Sequence, residues 1–377
     1  MFLLRWIWRL VKALIVVVIV VAAIPLFGLA YGFLTTDALD DAPLPGIVEG
    51  APPAALAGQV REEIAGYQRP EESTYLTYPE WAIVYAAREY AGFLEAGHRE
   101  SGFPYLSYAG RFWQDYAMVI RASSGHPFNF QNHQMLAVIG TSHTIELLLQ
   151  AAYENTVGRI TEWTSGRPVA ADRYLAGVAG EYAAFLDQTP WYQFAYAEKR
   201  AGLQAVQPDP GDDPIRTTER KWAFGLANAI KQGYADLIKS ALAAAAPPAL
   251  LDIHVWAKGP VALAIADEPD TRLEKDLDIE GAVFVTRRYQ VFTDMIPRLI
   301  GRGVRFVEIG GNDEILVTVL SDGEVSAPAG ARLLFDYPLP ADPAVRRAGL
   351  TIAVRQLHLV LPALQVAGAR LEHVYDY

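Results

Sequence analysis

A polar stripe within an apolar helix is the most chemically suggestive feature of this 377-residue sequence. The apolar stretch AVIGTSHTIELLLQAAYEN, which covers residues 137–155, is interrupted by His143, Glu146, Gln150 and Glu154. At 100° per residue, these four side chains fall within about 80° of one another on a helix. Imidazole and carboxylate groups on one helix face can bind a metal ion or pair with buried cations.

Three interpretations of this stripe are compatible with the sequence. The stripe can be the solvated face of an amphipathic helix, although neither Lys nor Arg occurs between Arg121 and Arg159. It can instead be a buried structural network, in which case each carboxylate needs a cation or a hydrogen-bond donor from a neighbouring helix. Suitable groups on the neighbouring predicted helices are those of Arg88, Arg111, Tyr85 and Tyr116.

The third interpretation is a metal site. His143 and Glu146 are three positions apart, a spacing that lets both side chains reach one ion from the same helix. Glu154 and His133 complete the predicted ligand set, which would hold a divalent metal. Iron sites in helical bundles use a Glu followed by a His on each of two helices, whereas here the order is reversed and a single pair occurs.

Several familiar catalytic motifs are absent from the sequence. It has no G-x-G-x-x-G after a strand, no P-loop, no G-x-S-x-G and no H-E-x-x-H. It has no cysteine, which excludes disulfides, thiolate metal ligands and a cysteine nucleophile. The net charge is −11, and no cluster of Lys or Arg follows the first dozen residues, which argues against a nucleic-acid partner.

The N-terminal segment, residues 1–36, is predicted to be a transmembrane anchor. Residues 13–34 carry no charge, and as a helix they would extend about 33 Å, enough to cross a hydrocarbon core of about 30 Å. Basic residues up to Lys12 precede this stretch, and aspartates from Asp37 to Asp41 follow it. The positive-inside rule therefore places Met1 in the cytoplasm and the bulk of the chain outside. A cleaved signal peptide, the alternative, would have a shorter apolar region.

The rest of the chain divides into a linker and two folded regions. Residues 37–60 are rich in Pro, Ala and Gly and are predicted to form the linker. Residues 61–248 have helical periodicity, so we expect a mainly helical extracytoplasmic domain. Residues 249–377 contain short β-branched and aromatic runs in the order β-α-β-β-β-α-β. Omission of one strand gives the split βαβ arrangement, so the predicted fold is α+β with a C-terminal ferredoxin-like domain.

The periodicity also gives approximate limits for the elements. The predicted helices cover residues 80–97, 106–122, 132–163, 172–186 and 217–245. The predicted strands cover residues 281–289, 304–311, 314–320, 331–337 and 369–377. Residues 342–368 have helical periodicity, and no internal repeat is recognisable in the sequence.

The sequence favours a binding protein over an enzyme. Aromatic residues make up 11% of the chain and cluster at 103–118 and 191–197, a pattern that fits either an ordinary core or a surface that touches lipid or a hydrophobic partner. We therefore expect a single-pass, non-enzymatic accessory subunit of the inner membrane in a bacterial-type envelope, with its bulk in the periplasm. Its partners would be the lipid bilayer and an integral membrane protein or a lipid-like ligand. The alternative is a metal-dependent enzyme with its His/Glu site on the helix over 132–163.

Overall fold

The computed structural model describes residues 23–34, 51–242 and 251–377, together with Lys12 and Leu44. The start of the predicted transmembrane span and most of the predicted linker lie outside these residues. The described part of the chain is α+β: a largely helical region precedes two small antiparallel sheets.

Most residues described before position 243 are helical. The helices are α1 Ala23–Leu34, α2 Ala54–Glu63, α3 Ser73–Leu76, α4 Tyr78–Glu95, α5 Tyr105–Ala122, α6 Phe130–Tyr153, α7 Arg159–Ser165, α8 Ala170–Leu186, α9 Tyr196–Ala205 and α10 Pro214–Leu242. A π-helical turn at Glu154–Gly158 joins α6 to α7, so the helical stretch continues from Phe130 to Ser165. The five predicted helices correspond to α4, α5, α6 with α7, α8 and α10.

Local chemistry sets the ends and the packing of this long stretch. The Asn129 side chain accepts a hydrogen bond from the backbone N–H of Asn132 at 3.2 Å and so caps α6. Gly166 ends α7 with a φ of +68°, a left-handed conformation that glycine adopts without steric penalty. Gly140 lets α6 approach α5 closely, because a Cβ at this position would lie 2.0 Å from the Phe112 ring.

Two four-stranded antiparallel sheets form the C-terminal region. The strands of the first are β1 Asp252–Lys258, β2 Arg272–Asp276, β3 Ala282–Arg287 and β4 Arg305–Ile309, in the spatial order β2-β3-β1-β4. The strands of the second are β5 Glu314–Ser321, β6 Ala331–Pro338, β7 Arg346–Ala353 and β8 Arg370–Val374, in the order β6-β7-β5-β8. The two sheets therefore have the same strand order relative to the chain.

Three helices accompany the sheets, namely α11 Val261–Ile265, α12 Gln290–Gly301 and α13 Leu357–Val366. Helices α11 and α12 connect strands of the first sheet, and α13 occupies the position of α12 in the second. Residues 322–330 connect β5 to β6 without a described helix, where the first sheet has α11. One apolar core is shared by both sheets and all three helices.

Both sheets are also covered on their second face, which explains why their central strands are nearly continuous apolar runs. In the first sheet Trp256 packs against Ala57 and Val60 of α2. In the second sheet Leu316 and Tyr375 pack in one cluster with aromatic residues of α3, α4 and α5. The helical region therefore rests directly on the second sheet.

The structure differs from the sequence prediction at the linker and at three strands, β1, β2 and β7, which were not among the predicted strands. The predicted linker, residues 37–60, ends inside α2, because the alanines that suggested a linker also favour a helix and Pro53 precedes its first turn. Strand β2 has the sequence RLEKD, which lacks an apolar alternation, and it lies at a sheet edge. Strand β7 falls within 342–368, where its apolar residues merge with the helical pattern of α13.

Candidate membrane-facing surface

The side chains of α6 form three faces: a buried apolar face, a polar stripe and an exposed apolar face. Leu136, Gly140 and Leu147 point toward α5 or its neighbours and belong to the interior. The polar stripe lies beside this buried face and meets α10. The third face points away from the protein, where Val138 and Leu149 are exposed.

The polar stripe pairs with cations from α10. Lys231 Nζ lies 2.5 Å from a carboxylate oxygen of Glu146. Arg220 donates to both carboxylate oxygens of Glu154, at 2.9 and 3.3 Å, and Glu154 is only 2% exposed. The stripe is therefore an interhelical seam that is buried at Glu154 and partly open to solvent at Glu146, whose side chain is 43% exposed.

Arg220 and Arg216 form the centre of a larger buried cluster, which we call the arginine cluster. Their guanidinium groups are 0% and 1% exposed. They contact the carboxylates of Glu100, Glu154, Glu162, Asp172 and Glu219. Burial raises the pKa of Glu100 to about 7, against the lowering effect of both arginines. The cluster joins α6, α7, α8 and α10 through charge-assisted hydrogen bonds.

The same helices also expose large apolar side chains. Trp222 is 76% exposed and Trp163 is 83% exposed. We define the outer apolar surface by the exposed side chains Met135, Val138, Leu149, Ile160 and Trp163 on α6 and α7, and Ile215, Trp222, Leu226, Ile230 and Leu237 on α10. From Ile215 to Leu237 this face of α10 would extend about 33 Å.

This distribution of polarity differs from that in an ordinary water-soluble bundle. Around the arginine cluster, charged side chains lie between the helices, while large apolar side chains of α6, α7 and α10 are exposed. Large exposed apolar patches usually mark contact with a membrane or a partner. In a bilayer, intramembrane charges pair inside the bundle and apolar side chains meet lipid.

Helix α1, the described part of the predicted span, packs directly on the helical region. Gly28 and Gly32 form a G-x-x-x-G pair, the small-residue spacing that lets membrane helices approach closely. A Cβ at Gly28 would lie 2.1 Å from the Trp113 ring, and one at Gly32 would lie 2.6 Å from Ile120. The end of the predicted anchor therefore lies against α5.

The four residues predicted as metal ligands have separate partners. Glu146 pairs with Lys231 and Glu154 with Arg220, as described above. His133 is buried, and its Nδ1 lies 3.0 Å from the Tyr116 hydroxyl. His143 is half-buried, and its ring centroid lies 6.1 Å from that of Phe112.

Among the described residues, no group of three or more His, Cys, Asp or Glu side chains is arranged to hold a metal ion. The metal site at His143, Glu146, Glu154 and His133 stays a prediction. The cations of the observed seam also differ from the predicted ones: Arg88 pairs with Asp187 at 2.6 Å, and Arg111 lies 3.8 Å above the Tyr337 ring. Tyr116, named from sequence as a partner for the stripe, contacts His133, a predicted metal ligand outside the stripe.

A second cluster of buried charged and polar side chains, which includes Asp115 with its raised pKa, surrounds a small cavity beside His143. The cavity is lined by Arg111, Asp115, Tyr337 and Arg347, among others, and its volume is about 10 Å³. Burial raises the pKa of Asp115 to about 7, although Arg111 and Arg347 act in the opposite direction. A volume of about 10–15 Å³ holds roughly one water molecule, so this cavity has no room for a substrate.

One described helical stretch, Phe130–Ser165, is long and apolar enough to cross a membrane, with a mean hydropathy of 1.3 and 33% of its most apolar window buried. Helix α1 is a shorter apolar helix. Length and composition alone are weak evidence for a membrane span. No protein-family model, curated protein or solved structure matches the chain.

The arginines of the seam have a recognisable pattern in the sequence. Arg216 and Arg220 are four residues apart, so on a helix they point in the same direction. Trp222, Leu226 and Ile230 repeat the same spacing on another side. Together they indicate a helix with a cationic face and an apolar face.

Proposed function

We propose that this protein is a membrane-anchored, non-enzymatic accessory protein of a bacterial-type inner membrane, and that its helical region lies against the bilayer. The outer apolar surface of α6, α7 and α10 is the observation that carries the proposal. Lipid is its occupant, because the same helical unit packs on α1, the end of the predicted anchor.

The arginine cluster supports this arrangement energetically. Buried ion pairs are costly to desolvate, and breaking one by loss of a partner typically costs about 3–5 kcal/mol. The cluster lies between the helices, so α10 can remain fixed beside α6 while both present their apolar sides to lipid. An ordinary aqueous bundle would place Trp222 and Leu226 in its core instead.

We also propose that the C-terminal region consists of two split βαβ, ferredoxin-like modules in tandem. The shared order of the strands, second-third-first-fourth in each sheet, supports this assignment. In the second module the first helix is replaced by residues 322–330. These modules would lie on the periplasmic side under the predicted N-in topology and form a platform beside the membrane-facing helices.

The absence of cysteine from the chain allows a direct test. Single variants Leu226→Cys and Val138→Cys would be labelled with an environment-sensitive fluorophore in protein reconstituted into vesicles. Glu181→Cys, on the exposed side of α8, is the matched control. We expect blue-shifted emission and quenching by spin-labelled lipid at 226 and 138, and neither effect at 181. Labels at 226 and 138 that are quenched only by an aqueous reagent would contradict lipid contact.

A further inference from the structure

A second cleft lies on the other side of the contact between the helical region and the second sheet, and its volume is about 300 Å³. Residues before and within α3 and the turn after α5 form one wall. The turn before β5, parts of β6 and β7, and Tyr377 form the other. A volume of this size lies at the lower end of the range typical of small-molecule sites.

The charged groups of this cleft are mostly acidic. Glu71, Asp313 and Glu314 contribute carboxylates, whereas Arg332 contributes a guanidinium group. His126 Nδ1 lies 3.2 Å from a carboxylate oxygen of Glu71. Burial and the neighbouring Asp313 raise the pKa of Glu314, while Arg332 and His126 lower it. The excess of carboxylates favours a cationic ligand over an anionic one.

Two buried polar atoms in the cleft lining have no hydrogen-bond partner among the described residues. They are the hydroxyl of Tyr377 and the side-chain oxygen of Asn312, on residues that are 4% and 3% exposed. Burial raises the pKa of Tyr377, and the neighbouring Tyr75, Asp313, Glu314 and Glu71, which line the same cleft, act in the same direction. A buried polar group without a partner typically costs about 1–3 kcal/mol, so both atoms favour a ligand that supplies hydrogen bonds.

The missing partners and the charge together define the chemistry of the ligand. The Asn312 oxygen is an acceptor, the carboxylates are acceptors, and the Tyr377 hydroxyl can accept or donate. An ammonium group supplies several N–H donors and a positive charge. The rings of Tyr75 and His126 are stacked with centroids 6.0 Å apart, and they form an aromatic wall along which an alkyl chain can lie.

We propose that this cleft binds a small organic amine, with its ammonium group held by Glu314, Asn312 and Tyr377. The arrangement does not suit a metal ion, because no described group of three or more carboxylates and histidines is placed to hold one. The proposal is independent of the membrane contact, since it rests on different elements of the fold.

Isothermal titration of the full-length protein in mild detergent with putrescine tests the proposal. We expect saturable binding of one putrescine per chain. Tetramethylammonium has the same charge per head group but no N–H donor, so we expect it neither to bind nor to compete. No saturable putrescine binding at millimolar concentration, or equal binding of tetramethylammonium, would overturn the proposal.

Two variants locate the site. Tyr377→Phe should weaken putrescine binding about tenfold or more, because it removes a hydrogen bond to the charged ammonium group. It should fold normally, because the hydroxyl has no described partner to lose. Glu314→Gln should weaken binding at least about tenfold, because it removes a charge-assisted bond. Glu62→Gln, an exposed change on α2, is the control and should bind as the unaltered protein does. Unchanged affinity in both site variants would refute the assignment.

Discussion

Replacement of Asp115 by asparagine should change the way stability depends on pH. Asp115 is 2% exposed, lies where α5 meets the second sheet, and has a pKa of about 7 against an ordinary value of 3.8. The Tyr337 hydroxyl donates to it over a long distance of 3.4 Å. Burial dominates over the nearby Arg111 and Arg347, so the folded protein favours the protonated carboxyl.

The sign of the effect follows from the raised pKa. Between about pH 4 and pH 7 the folded protein retains a proton at Asp115 that the unfolded chain has lost. The contribution of Asp115 to the free energy of unfolding is therefore fully present below pH 4 and is lost as the pH rises through 7. The displacement from 3.8 to about 7 corresponds to roughly 4 kcal/mol as an upper limit.

Asparagine has nearly the same shape and does not titrate in this range. We therefore expect Asp115→Asn to gain stability relative to the unaltered protein as the pH rises from 4 to 8, by up to roughly 4 kcal/mol. Urea unfolding in mild detergent, followed by tryptophan fluorescence at each pH, measures the difference. Glu324→Gln, at an exposed position between β5 and β6, should show no such trend. A difference between Asp115→Asn and the unaltered protein that stays constant over this range would refute the reasoning.

Three other substitutions probe the packing. Arg220→Met leaves the buried Glu154 without its bidentate partner and should lower the unfolding free energy by about 3–5 kcal/mol, measured by urea unfolding at pH 7. Gly140→Val places side-chain atoms against the Phe112 ring and should cost about 1–3 kcal/mol in the same assay, with partial recovery when Phe112→Leu is added. Trp222→Ser should change the unfolding free energy in detergent by less than about 0.5 kcal/mol, because Trp222 is 76% exposed. In vesicles, the fraction of tryptophan fluorescence that is protected from aqueous quenchers should fall, because a lipid-facing tryptophan is lost.

Helices with strong apolar periodicity could be predicted from the sequence. The predicted limits 106–122 and 132–163 differ by only one or two residues from those of α5 and of the α6–α7 stretch. Their ends carry local signals, such as the cap at Asn129 and the glycine at Gly166. The same periodicity cannot show which side of a helix faces its neighbours, so the direction of the polar stripe remained open.

The strands were harder to predict because a strand is defined by its partners. Strand β2 is short and polar and pairs with β3 at the sheet edge. Strand β7 lies at the centre of the second sheet, yet the sequence RRAGLTIA resembles the start of a helix. The shared strand order of the two sheets arises from these long-range pairings, whereas the sequence shows no recognisable repeat.

The candidate sites also depended on contacts between distant parts of the chain. The partners of Glu146 and Glu154 come from α10, which lies 66 or more residues further along the chain. The amine cleft combines Glu71 with Glu314 and Tyr377. Spacing along the sequence identified residues whose side chains could take part in binding or catalysis, but it could not identify these partners.

Photo-crosslinking in intact membranes tests the central claim most directly, because the adduct identifies what touches α10. A photoactivatable amino acid would replace Leu226, and a control would carry it at Glu181. We predict lipid adducts at 226, detected by mass spectrometry of the purified protein, and adducts with neither lipid nor protein at 181. Adducts at 226 that consist of protein alone, or a reaction only with water, would contradict a bilayer-facing surface.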